Sequence, residues 1–226
     1  MQHVRAAARY FARHPGWGPA FYALSIQYFL AQLIVAHQWA FPYSLSRNTI
    51  SDLGNTACGL YGSRLVCSPL HGVMDASFVV LGLTMVLGSA FLVQQVAPAT
   101  GTTTGLALMA GAGIGVILVG LFPENRVPAI HGTGAGISFL LGNAGIIVLG
   151  WSLTLPVPLR ACSFLAGGVA LLALGFFVSG HYLGLGEGGL ERVVAYPQAV
   201  WLIAAGLGLL SARRRRLTLA PRAGAR

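Results

Sequence analysis

Apolar positions in this chain fall in long runs, and the polar residues gather between them. The runs cover about 20–40, 70–94, 102–122, 131–151, 161–181 and 196–212, each near the roughly 20 residues a helix needs to cross a bilayer. They do not alternate polar and apolar residues, so β-barrel spans are not expected. Glycine and alanine recur inside them, as in Gly111-Ala112-Gly113-Ile114-Gly115 and Gly132-Thr133-Gly134-Ala135-Gly136. In water glycine weakens a helix, but in lipid small residues let helices approach closely. The pattern predicts an all-α polytopic membrane protein, a six-transmembrane-helix bundle over 20–212. A basic segment, 1–19, precedes it and an Arg-rich tail, 213–226, follows. The first run is too long for the apolar stretch of a typical signal peptide and is expected to be a retained span.

Composition agrees. Hydrophobic residues make up 55% of the 226 and charged residues 8%, against about 25% charged in a soluble domain. Mean hydropathy is +0.72.

The net charge of +9 is distributed in a telling way: all 14 basic residues are arginine. Ten lie in three places: Arg5, Arg9 and Arg13; Arg160; and Arg213 to Arg216 with Arg222 and Arg226. Six spans put all three on one side, and the positive-inside rule makes that side cytoplasmic. Both termini are then cytoplasmic, and the arginine run meets the headgroups of the lipid bilayer rather than nucleic acid. The expected location is a multi-pass position in a bacterial inner membrane, with the loops about 41–69, 123–130 and 182–195 facing outward.

This topology collects the rare ionisable groups. All five acids, Asp52, Asp75, Glu124, Glu187 and Glu191, fall at the outward face, as do His37, His71, His131 and His181. A carboxylate near hydrocarbon is costly unless paired, protonated or liganded, so this face is the candidate working site. Cys58 and Cys67 share the first outward loop, where an oxidising compartment permits a disulfide; the spacing leaves a free thiol pair open. Cys162, inside a span, reads as a packing residue.

Two readings of the acids and histidines stay open. In the first, His71, His131 and His181, with Asp75 as fourth ligand or orienting group, hold Zn²⁺ with an open position for water. His71 and Asp75 are spaced i, i+4 and share a helix face. The metal-bound water attacks a lipid or lipid-linked substrate, with Asp52 or Glu124 as general base or acid. Arg47, Arg126 and Arg192 hold an anionic headgroup, with Asn48 and Ser51 beside them. No His-Glu-x-x-His motif supports this site. In the second reading the same groups satisfy one another. Ser51 or Asp52 caps a turn, Asp75 bonds His71, Glu124 pairs with Arg126, and Glu191-Arg192 starts the last helix. The protein is then a non-catalytic accessory or scaffold subunit, associating with other membrane proteins or with itself. Heme is not expected, because a two-heme arrangement needs histidine pairs at both membrane sides. Span centres carry Ser25, Ser138 and Asn143 but no charge, which argues against proton-coupled transport.

Four segments carry a resemblance. They are Ser46-Arg47-Asn48-Thr49-Ile50-Ser51-Asp52-Leu53-Gly54, Ser68 to Asp75, Gly120-Leu121-Phe122-Pro123-Glu124 with Ile130-His131-Gly132, and Gly188 to Trp201 around Glu191-Arg192. In this order the chain resembles the domain-of-unknown-function 998 membrane family over about 20–210. The resemblance implies a six-helix integral membrane protein without an assigned activity. It carries over to Ser51, Asp52, Gly54, Pro123, Glu124, His131, Glu191 and Arg192. A remoter likeness is to seven-helix zinc hydrolases of the ceramidase and adiponectin-receptor type, which gather His, Asp and Ser at one face. This chain departs from them in its six spans and its lack of a His-x-x-x-His pair in the final helices.

Overall fold

The structure, a computed structural model, describes residues 16–96 and 99–219, with side chains to Arg213. Arg5, Arg9, Arg13, Arg222 and Arg226 lie outside the described residues. Six helical spans are long and apolar enough to cross a membrane. The first is built of α1 (Trp17–Leu24) and α2 (Ile26–His37). The others are α3 (His71–Leu92), α4 (Thr100–Leu121), α5 (Pro128–Ser152), α6 (Val157–Val178) and α7 (Gly186–Leu219). Each span packs against the next in sequence, and α7 returns to pack on α1, closing the bundle.

Glycine sets how closely the helices cross. A Cβ on Gly82 would lie 2.4 Å from the Gly113 carbonyl oxygen, and one on Gly113 would lie 2.6 Å from that of Gly82. Gly115 and Gly134 stand in the same relation between α4 and α5, at 2.5 and 2.7 Å. Any side chain at these positions would push backbone from backbone, so they are the close-approach sites expected of a lipid-embedded bundle.

Connections at one end are short. At the other end, residues 38–70 fold into a cap over the helices. It contains a 3-10 turn (Ser51–Gly54) and a hairpin, β1 (Cys58–Tyr61) and β2 (Arg64–Cys67). The hairpin is a small addition to the all-helical expectation, hidden in sequence because each strand has only four residues. Its turn uses Gly62 at φ +59°, a left-handed backbone that favours glycine. Cys58 and Cys67 pair in register across the open end and form a disulfide, with Cα atoms 4.1 Å apart.

α7 starts at Gly186, ten residues before the hydropathy run at 196. Gly180, Leu183, Gly184 and Gly186 all have positive φ and make the turn out of α6. Glu187, Glu191 and Arg192 therefore ride on the first turns of a helix rather than in a loop. Hydropathy misses this extension because its charges are buried by the cap, not by lipid.

Candidate functional site beneath the cap

The cap is organised around Asp52. Thr49 and Asp52 bond reciprocally: the Thr49 amide donates to Asp52 Oδ2 at 2.9 Å, and the Asp52 amide donates to Thr49 Oγ1 at 3.0 Å. This is capping-box chemistry, and it fixes the 3-10 turn that carries Ser51. The same Oδ2 accepts from Asn48 Nδ2 at 3.3 Å and Arg64 Nε at 2.7 Å. Asp52 is fully buried.

Arg64 comes from β2 and reaches three acids. Its Nη1 donates to Glu187 Oε2 at 2.7 Å, and its Nη2 lies 3.9 Å from Glu124 Oε2. Burial alone would loosen its proton, but Asp52, Glu187 and Glu124 more than offset that and hold it still more firmly charged. Glu124 accepts from Asn55 Nδ2 at 2.8 Å. Burial first, and then the neighbouring Asp52 carboxylate, raise its pKa from 4.5 to about 9. Asp52 Oδ2 accepts from three donors, one of them the Arg64 guanidinium, whereas Glu124 is the carboxyl whose proton is held. Asp52 Oδ1 is buried and has no other hydrogen-bond partner. A protonated Glu124 would carry an O–H able to complete it.

A second cluster lies one step deeper. His131 is buried on the first turn of α5, which begins with Pro128 at a position suited to proline. Its Nδ1 lies 2.9 Å from the Phe122 carbonyl oxygen and its Nε2 lies 3.0 Å from Ser51 Oγ. Ser51 Oγ is also 3.2 Å from Glu191 Oε1, while Glu191 Oε2 accepts the Ile50 amide. A carbonyl only accepts, so Nδ1 carries a hydrogen. Two proton arrangements then complete every bond. Either neutral His131 accepts the Ser51 hydroxyl and protonated Glu191 donates to Ser51, or imidazolium His131 donates to Ser51 and Ser51 donates to the Glu191 carboxylate. Both hold the same number of protons. The three groups form a hydrogen-bonded chain through the serine hydroxyl, and the two arrangements differ in where one proton resides.

Ser51 and Glu191 also line a narrow internal cavity of about 30 Å³ between α3, α4, α5 and α7, with Tyr28, Phe78, Ser138 and Gln198. A water needs about 10–15 Å³ on this measure, so there is room for one or two.

Arg192 stands beside the cap. Its Nη1 donates to the carbonyls of Leu45, Asn48 and Gly188 at 2.8–2.9 Å, and its Nη2 donates to Tyr43 Oη. Burial pushes the Tyr43 hydroxyl well above the ordinary tyrosine value.

The structure thus gathers Asn48, Ser51, Asp52, Glu124, His131 and Arg192 under one cap. His71 and Asp75 form their own pair at the first turn of α3, Nδ1 to Oδ2 at 3.4 Å, with Asp75 against Gly54. His181 is exposed and bonds Ser179. Arg47 is exposed, and Arg126 bonds Thr56 rather than Glu124. Among the described residues, no three of His, Cys, Asp and Glu are grouped to hold a metal ion. Sequence reasoning left Arg64, Thr49 and Asn55 out of the site and read Glu191 as a helix-start charge. Arg64 had one available signal: it is the one arginine between the two cysteines.

A multi-span membrane protein whose capped end buries an acid–arginine cluster over a hydrogen-bonded Ser–His–Glu chain is the class these features define. The model of a family described as protein of unknown function (DUF998) matches residues 23–208, and the chain belongs to that family. No curated protein and no solved structure matches it.

Proposed function

We propose that the protein is a membrane-embedded hydrolase or transferase acting on an ester- or amide-linked lipid, with Ser51 as nucleophile and His131 as its base. The observation that carries this reading is the Ser51 hydroxyl, held 3.0 Å from His131 Nε2 while the opposite ring nitrogen is fixed by the Phe122 carbonyl. That is the arrangement by which a base is oriented and a hydroxyl activated. Ser51 Oγ attacks the substrate carbonyl carbon, and its proton passes to His131 Nε2. The leaving oxygen or nitrogen takes that proton as its bond to the acyl carbon breaks. Water or an acceptor alcohol then releases the acyl group from Ser51. Glu191 supports the relay, and Asp52, Glu124 and Arg64 hold the turn that presents Ser51. We assign the attack to Ser51 rather than to a metal-bound water, a reading supported by the hydrogen bonds on both ring nitrogens of His131 and by His181 bonding Ser179 at the surface.

We place the capped end outside the cytoplasm. The Cys58–Cys67 disulfide favours an oxidising compartment, and Arg213 lies at the opposite end against Gly16.

The test is covalent labelling of the purified protein in micelles with an alkyl fluorophosphonate. Ser51 acquires the label in the wild type, Ser51→Ala does not, and His131→Gln slows labelling by about 10²-fold or more. A folded wild type that stays unlabelled returns the site to the scaffold reading.

A further inference from the structure

The gap between α6 and α7 is separate from the Ser51 cavity and much larger, at about 720 Å³. Its walls are almost wholly apolar, with Leu159 and Val169 on α6 facing Val193, Val200 and Trp201 on α7. At the end of the groove nearest the cap stands Arg192. Arg192 is 8% exposed as a residue, and none of its hydrogen bonds goes to a carboxylate. Its nearest acid in sequence, Glu191, spends both oxygens on Ile50 and Ser51. Nε–H is buried with no partner. A cation so placed, hydrogen-bonded only to carbonyls and a hydroxyl and with Glu191 as its neighbouring acid, is expensive near hydrocarbon and is favoured by a further anion.

Length identifies the occupant. From Arg192 to Ala204 the groove follows α7 for twelve residues, about 18 Å at the helical rise. One leaflet of hydrocarbon is about 15 Å deep, half the bilayer core. A groove with a cation at its cap end and an apolar trough one leaflet long has the dimensions of a single membrane lipid. We infer that it binds an anionic phospholipid, with one acyl chain between α6 and α7 and the phosphate on Arg192. Guanidinium groups take phosphate oxygens through paired N–H donors, and Nε–H is the donor still free. The site does not depend on Ser51 being a nucleophile.

Cys162 makes the site measurable. It lies in the groove, is exposed, and is the free thiol beside the one disulfide. The experiment follows alkylation of Cys162 by a maleimide in micelles titrated with dioleoyl phosphatidylglycerol or dioleoyl phosphatidylcholine. Phosphatidylglycerol slows alkylation at least fivefold at mole fractions where phosphatidylcholine does not. Ala166→Phe and Ala204→Phe, which fill the groove without touching Arg192, abolish selective retention of phosphatidylglycerol in native mass spectra. Equal protection by both lipids, protection by neither, or undiminished selective binding in the filled variants overturns the inference. Fluorophosphonate labelling of Ser51 reads the proposed catalysis separately, so failure of one leaves the other standing.

Discussion

Arg64 and Asp52 are joined at 2.7 Å although one belongs to a hairpin and the other to the turn beneath it. Asp52 has no exposed surface and the Arg64 side chain has 12%. This pair is therefore the pin between the cap's outer layer and the turn that carries Ser51. Breaking a buried pair by removing one partner costs about 3–5 kcal/mol, because the other charge is left uncompensated. Arg64→Met is expected to lower the thermal midpoint in detergent by on the order of 10 °C. The double variant Arg64→Met with Asp52→Asn should lose less than the two single changes added together, since they share one interaction. Additive losses would show that the pair is not coupled.

Glu124 gives the cap a pH dependence of definite sign. Its folded pKa, about 9, lies above the ordinary 4.5, so the folded protein binds the proton more tightly than the unfolded chain. Between these values the folded state holds more protons, and stability falls as pH rises. The contribution is full below about pH 4.5 and declines up to about pH 9. Glu124→Gln keeps the hydrogen-bonding shape and removes the titration. The difference in thermal midpoint between wild type and Glu124→Gln should grow in the variant's favour from pH 5 to pH 9. A flat difference would place the proton elsewhere.

Gly188 locks α7 to the cap by having no side chain. A Cβ there would lie 2.1 Å from the Asn48 carbonyl oxygen and 2.9 Å from that of Leu45, the carbonyls that Arg192 holds. Gly188→Ala must push the loop from the helix and is expected to cost about 1–3 kcal/mol, the usual range for overpacking. Gly72→Ala is the control: nothing lies within 4 Å of its Cβ, and alanine favours helix. Thermal unfolding of the two variants should separate them clearly.

The sequence made the spans legible because burial in lipid and hydropathy are nearly the same quantity. Five of the six spans begin within about 4 residues of their apolar runs. α7 is the exception, because its first turns are shielded by protein rather than lipid. The site was legible as a level and not as a set of contacts. Acids and histidines at one depth suggested convergence, yet depth says nothing about azimuth around the bundle. His131 and Ser51 lie on facing elements and meet, whereas His181 ends α6 at the surface and does not. Arg64 was hidden for a different reason: a hairpin of four-residue strands has no periodicity long enough to read.

Glu191 decides which way the Ser51 hydroxyl points. Glu191→Gln fixes one of the two proton arrangements, because the amide can accept the Ile50 N–H through its oxygen and donate to Ser51 through its nitrogen. Ser51 then has one acceptor left for its hydrogen, His131 Nε2, which is the arrangement needed for attack. Fluorophosphonate labelling of Ser51 should therefore be retained or accelerated in Glu191→Gln. Glu191→Ala should behave differently: it leaves the buried Ile50 amide without a partner, at about 1–3 kcal/mol, and lowers the thermal midpoint. If Glu191→Gln folds with the wild-type midpoint and yet loses labelling, Glu191 itself takes the proton from Ser51, and the base belongs on α7 rather than on α5.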